Sequence, residues 1–329
     1  MSLKKVLLER TFGLEETSRI PVGFWFHLIP EAETGDALKD PSLPSKSVAA
    51  HKAFIAAAGP DFVKTMSDGF FFYPFEGAAD SPGGLEGLRP IPASHPWIVG
   101  QAGLQREVRA CDPLLPYFYN VFSPLTSLRF LVGREKLLSF LREAPAAVEE
   151  ALNRIGDGLS VLAREVIARG MADGIYLSVQ NPDSASISAK DYLSRIAPSE
   201  IRILEAASAA GGRSILHVCG YAGARNRLRD FASYPASAVS FARTVEGVGF
   251  PEAREIFAGR ALIAGFPNTP GSVLHKGTRA EVEAYTEDLL KEAAGLRGII
   301  IGADCTVPSD IGIERFAWVR EAANRKGQA

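Results

Sequence analysis

The sequence predicts an α/β fold, a single (β/α)8 TIM barrel over residues 1–329 with an N-terminal helical extension and a long insertion after the second strand. Three observations carry this. Eight strand-like runs alternate with helical stretches, the count a (β/α)8 barrel requires. Seven of these runs are short and apolar on both faces, as parallel strands under helical crossovers are. The first run is not followed by Gly-x-Gly-x-x-Gly and no P-loop occurs, so the alternative, a doubly wound open sheet, lacks its nucleotide-binding signals. There is no internal repeat and no domain boundary.

The N-terminal Met-Ser-Leu-Lys-Lys-Val-Leu-Leu-Glu-Arg is charged and reads as a short helix, not as a signal peptide. Residues 20–28, IPVGFWFHL, read as the first strand, opened by Pro21 where strands tolerate proline. A Pro- and Gly-containing loop over 29–43 leads to a helix over 45–58, stopped at Gly59. The second strand is 61–66, followed by Ser67-Asp68-Gly69. Residues 69–96 form the insertion, with aromatics at 70–75 that either pack or line a pocket; a loop of this length carries function or moves. A helix over 103–110 precedes the third strand, 116–124. Two amphipathic helices over 134–169 meet near Pro145. The fourth strand, 174–180, ends in Asn181-Pro182-Asp183. A broken helix over 187–210 precedes the fifth strand, 214–220. The last strands are 238–242, 261–266 and 298–303, with helices over 251–258, 279–294 and 313–324.

Composition narrows the function classes. Apolar residues make up 47% and charged residues 22% of the chain, normal for a globular enzyme with a sizeable core. Thirty-six Lys and Arg balance 38 Asp and Glu, which gives no long-range attraction to nucleic acid or to an anionic membrane surface. No run approaches the roughly 20 apolar residues that cross a bilayer. Three cysteines cannot build a disulfide framework, so a reducing, cytoplasmic setting is expected.

In a (β/α)8 barrel the active site lies at the C-terminal ends of the strands, and that rule selects residues. His217 and Cys219 are two apart on the fifth strand, so they share a face. Alone they also suit a core histidine and a small apolar filler. Cys305 ends the last strand and adds a third ligand at an equivalent level, which turns the three into a zinc site. His27 ends the first strand and Asp68 the second; both are candidates for catalysis. Gln180 ends the fourth strand and Asn268 follows the seventh, as candidates for binding a cofactor. His51 and His275 read as surface residues, His95 as either, and Cys111 as a free thiol without a role.

These residues resemble the uroporphyrinogen decarboxylase superfamily. The likeness lies in Ile20-Pro-Val-Gly-Phe, Thr65-Met-Ser-Asp68, Ser123-Pro-Leu-Thr, Gly265-Phe-Pro-Asn-Thr-Pro and Val273-Leu-His-Lys-Gly-Thr, over nearly the whole chain. The resemblance implies a (β/α)8 barrel and one of two chemistries, or else a non-catalytic relative that binds a corrinoid or tetrapyrrole. The decarboxylases carry Arg-Gln-Ala-Gly-Arg after the first strand, and here Phe26 and Pro30 stand where the arginines belong. Phenylalanine cannot bind a carboxylate as arginine does. The zinc-dependent corrinoid:thiol methyltransferases carry His-x-Cys and a distant Cys, matched by His217, Cys219 and Cys305; Asp304 and Thr306 replace that branch's usual glycines. The closer likeness is to this branch. It implies zinc as cofactor, a methylcorrinoid, protein-bound, as methyl donor, and a corrinoid protein and a small-molecule thiol as partners.

Overall fold

The computed structural model describes residues 2–30, 35–75, 77, 79–181 and 185–325. Pro182 and Asp183 of the predicted turn, and residues 31–34 of the predicted loop, lie outside them. Seven parallel strands form one sheet in sequence order. They are β1 (Val63–Thr65), β2 (Tyr117–Phe122), β3 (Gly174–Gln180), β4 (Arg213–Cys219), β5 (Ala238–Phe241), β6 (Ala261–Phe266) and β7 (Ile299–Ala303). Nearly every strand residue is buried, which is why the runs lack a polar face.

The first predicted strand is the exception, and the expectation of eight strands is corrected to seven among the described residues. The segment 20–28 makes one parallel bridge, Val22 to Ile301 on β7. Gly23 N–H donates to Ile301 O and Ile301 N–H to Pro21 O, both at 2.9 Å. On its other flank, side chains replace a ladder. Val22 N–H donates to Asp61 Oδ2 at 2.9 Å, and Leu28 N–H to Asp68 Oδ2 at 3.2 Å. The two aspartates bracket β1 and take the donors that a strand would give to backbone carbonyls. Arg19 pairs with Asp61 behind them. The Phe62 ring lies so close to Gly23 that a Cβ there would stand 2.3 Å from it. The segment thus touches both edge strands and spans the gap between them.

Two apolar clusters mark the two faces of the sheet. The larger joins the strands to the helices outside. The smaller holds Leu8, Phe12, Trp25, Phe62, Met66, Phe118, Tyr176, Ile215, Ala238, Ala261, Ile263 and Ile300, side chains of the inner face in paired register. Leu8 and Phe12 come from the helix Leu3–Phe12, which plugs the N-terminal end. Phe12 meets Phe118 edge to face at 5.8 Å. One level up, toward the strand C-termini, the same face turns polar: Lys64, Asn120, Ser178, His217 and Ser240.

Helices form where their spacing and caps predict. The run 134–169 divides into Arg134–Glu143 and Pro145–Ala168, with Pro145 in the first turn of the second. Gly59 stops Ser42–Ala58 in the left-handed conformation. Thr278 and Glu281 cap Arg279–Glu292 reciprocally. Residues 70–95, where described, carry only a 3-10 turn, Pro82–Gly87. Among the described residues no helix is long and apolar enough to cross a membrane.

Candidate metal centre

The β4 register builds the centre. His217 pairs with Ser178 on β3 and Ser240 on β5, and Cys219 pairs with Gln180. His217 and Cys219 therefore point inward, one above the other, at the C-terminal end. Cys305 follows β7 after Asp304, whose N–H bonds Phe266 O at 2.8 Å. One ligand atom from each of His217, Cys219 and Cys305 lies within 4.8 Å of the other two. The two Sγ atoms are 3.4 Å apart. Tetrahedral zinc, with bonds of about 2.0 Å to nitrogen and 2.3 Å to sulfur, needs ligand atoms roughly 3.5–3.8 Å apart, so small side-chain shifts, with the two sulfurs parting slightly, close the site.

His217 Nδ1 lies 3.0 Å from Ser240 Oγ, to which Tyr176 O–H donates at 3.1 Å. Its Nε2 is buried and has no hydrogen-bond partner among the described residues. A buried nitrogen without a partner is costly, and the ring that carries it converges with two sulfurs. The donor set and the unpartnered nitrogen together fit a zinc ion. The cysteines share their proton unequally. The hydrogen bond from Cys219, with His217 and Lys64 nearby, holds the Cys305 thiol below its usual range against the opposing effect of burial.

A further layer fixes the strand ends. Asn226 Nδ2 donates to Cys219 O at 3.0 Å and to Glu246 Oε1 at 2.9 Å. Burial pushes the Asp304 carboxyl up to about 6, opposed by the Thr244 N–H it accepts. Asn268 Nδ2 donates to Thr306 O at 2.9 Å, so it braces the turn that carries Cys305. Gln180 Oε1 accepts from Arg129 Nη2 at 2.6 Å, and the Arg129 guanidinium lies 4.8 Å from the Tyr221 ring centre.

His27 and Asp68 meet as a separate pair. His27 Nδ1 is 2.9 Å from Asp68 Oδ1; Asp68 is fully buried and the imidazole is 45% exposed. That leaves Nε2 as the ring's remaining proton site, facing away from the bond. His27 lies edge to face with Phe71, which meets Phe122, which meets Phe130. The insertion aromatics thus pack as a chain of rings beside the pair, with Phe72 exposed at its end.

Two histidines depart from expectation. His51 is fully buried: its Nδ1 donates to Ser47 O at 2.7 Å, and its Nε2 accepts Met66 N–H at 3.0 Å. His275 is also buried, accepting Gly271 N–H at 3.1 Å and lying 2.9 Å from Asp310 Oδ1. Both tie loops at the strand ends to helices, a tertiary role that sequence spacing does not reveal. His95 caps the helix Pro96–Cys111, accepting Trp97 N–H at 3.1 Å. Cys111 is a free thiol. Lys64, Tyr176, Ser240 and Asn226 escape sequence reading, although Lys64 left a signal: it is the one charge in the run Phe62-Val-Lys-Thr-Met.

The sequence model of uroporphyrinogen decarboxylase (URO-D) matches residues 102–326. No curated protein matches the chain. Among solved structures, a methyltransferase from Methanosarcina mazei superposes with a TM-score of 0.77 at 16% identity, covering 100% of both chains. A beta-mannanase from the blue mussel Mytilus edulis superposes at 0.53 with 11% identity, covering 94% of this chain and 96% of that one. At these identities the likeness is one of fold.

Proposed function

The chain belongs to the uroporphyrinogen decarboxylase family, and within it we propose a zinc-dependent methyltransferase that moves a methyl group from a methylated, protein-bound corrinoid to a small thiol. The observation that carries this is the convergence of His217 Nε2, Cys219 Sγ and Cys305 Sγ, with the nitrogen buried and unpartnered. His217, Cys219 and Cys305 would hold zinc with one position open, and the ion would lower the pKa of a thiol entering there so that a thiolate is available to react. Such a transfer would form a carbon–sulfur bond as the carbon–cobalt bond of the donor breaks, with the electron pair left on the corrinoid.

The residues of this chain then have definite tasks. Ser240, fixed by Tyr176, accepts the proton on His217 Nδ1 and so keeps Nε2 free as a ligand. Asn226 holds Cys219 through its carbonyl, and Asn268 holds the Cys305 turn. Asp68 orients His27, whose exposed Nε2 relays to solvent the proton the thiol loses. The Gln180–Arg129–Tyr221 cluster and Asn268 contribute the polar part of the corrinoid-binding mouth. A tetrapyrrole decarboxylase fits less well: Phe26, in place of an arginine, packs edge to face on Phe54 at 5.5 Å.

Titrating 2-mercaptoethanol into zinc-loaded protein, with no corrinoid present, is expected to release roughly one proton per thiol bound, read with a pH indicator. Cys305→Ala should release none. Methyl transfer without any proton release in the native protein would show that the metal is structural and the thiol is activated elsewhere.

A further inference from the structure

A lysine lies inside the barrel beside the metal ligands. Lys64 is the middle residue of β1, with its side chain on the inner face, and it is buried. Its Nζ stands 4.2 Å from the centre of the Tyr176 ring and 5.4 Å from that of Trp25. The Tyr176 ring in turn lies 5.3 Å from the His217 ring. Burial pushes the Lys64 ammonium down to about 8, opposed by Cys305, Cys219 and Asp68 in that order. Among the described residues no carboxylate lies within ion-pair distance of it. Burying an ammonium is costly unless an opposite charge answers it, and the two aromatic faces offset only part of that cost.

Charge counting identifies the missing partner, given that the site is the metal centre proposed above. A divalent ion with two cysteinates and a neutral imidazole carries no net charge. An anion entering the open position leaves one uncompensated negative charge in the barrel. We infer that Lys64 is the fixed counter-charge for that anion, so that the site binds a thiolate and releases a neutral thioether. A neutral ligand gains nothing from the lysine, which makes the effect specific to charge. Lys64 touches none of the reacting atoms in this scheme; it acts through the electrostatics of the site.

The test uses the cobalt(II)-substituted protein, whose visible spectrum reports ligand entry. Native protein and the Lys64→Met, Lys64→Gln and Lys64→Arg variants are titrated with 2-mercaptoethanol, azide and neutral imidazole, after each is shown to hold equal cobalt. The two neutral variants are expected to need at least about tenfold more thiol and azide for half-saturation, with imidazole unchanged. Lys64→Arg should stay within about threefold of native, since it keeps the charge. Equal anion affinity in native protein and a folded neutral variant, or an equal loss for imidazole, overturns the inference. If native protein takes azide but no thiol, the thiol reading fails while azide still decides the role of Lys64. Native protein that holds no cobalt overturns both.

Discussion

Cys219→Ser protein is expected to lose its zinc, falling from about one ion per chain to near none after dialysis against a weak chelator, while its circular dichroism stays native. The sulfur is buried, 3.4 Å from Cys305 Sγ and beside the unpartnered His217 Nε2. A serine hydroxyl does not ionise near neutrality and is a poor zinc ligand, so the variant keeps two ligands of three. Loss of an outer partner costs about 10–100-fold in metal affinity, and loss of a ligand should exceed about 100-fold. Cys305→Ser should behave alike. Because β4 keeps its backbone pairs to β3 and β5 and its buried apolar side chains without this thiol, the fold does not depend on it. Full zinc retention in both variants would remove the assignment.

Gly174→Ala is expected to cost the most stability of any single methyl group added to this chain. Gly174 begins β3 and pairs with Arg213 at the start of β4. A Cβ there would lie 1.4 Å from Arg213 O and 2.5 Å from Arg213 C. Both are backbone atoms of the adjacent strand, and Arg213 N–H is held by Asp173 O at 2.9 Å, so neither strand can yield without opening the ladder. The loss should exceed about 4 kcal/mol in urea unfolding, or leave the protein insoluble. The effect reaches function as well, since β4 carries His217 and Cys219. Gly103→Ala is the contrast. It lies within the helix Pro96–Cys111 with nothing within 4 Å of its Cβ position, and should stabilise by about 0.5–1 kcal/mol. A Gly174→Ala chain as stable as native would contradict the register described for β3 and β4.

Much of this arrangement was legible in the sequence because period and punctuation speak plainly where strands are buried on both faces. The apolar runs at Gly174, Arg213, Ala261 and Ile299 became strands because nothing in them competes for backbone hydrogen bonds. The run at Ile20 has the same composition but not the same fate. Its donors meet Asp61 and Asp68, acidic side chains distant in sequence, and a one-chain reading cannot foresee that pairing. The three candidate metal ligands were legible because the barrel rule converts strand ends into neighbours. His51 and His275 were misplaced for the opposite reason: helix and loop positions do not reveal which face is covered. Lys64 was visible as a charge within an apolar strand, yet its meaning depends on Tyr176 and the thiols across the barrel, which only the folded register brings together.

The most direct test of the proposed chemistry is thioether formation from methylcobalamin and 2-mercaptoethanol by zinc-loaded protein under anaerobic conditions, followed by cobalamin absorbance and by mass spectrometry of the product. Zinc-dependent turnover is expected, abolished in Cys219→Ser and Cys305→Ser and restored to native protein when zinc is returned after chelation. Absence of thioether from protein that holds one zinc per chain, or equal turnover with the metal removed, would contradict a zinc-dependent thiol methyltransferase.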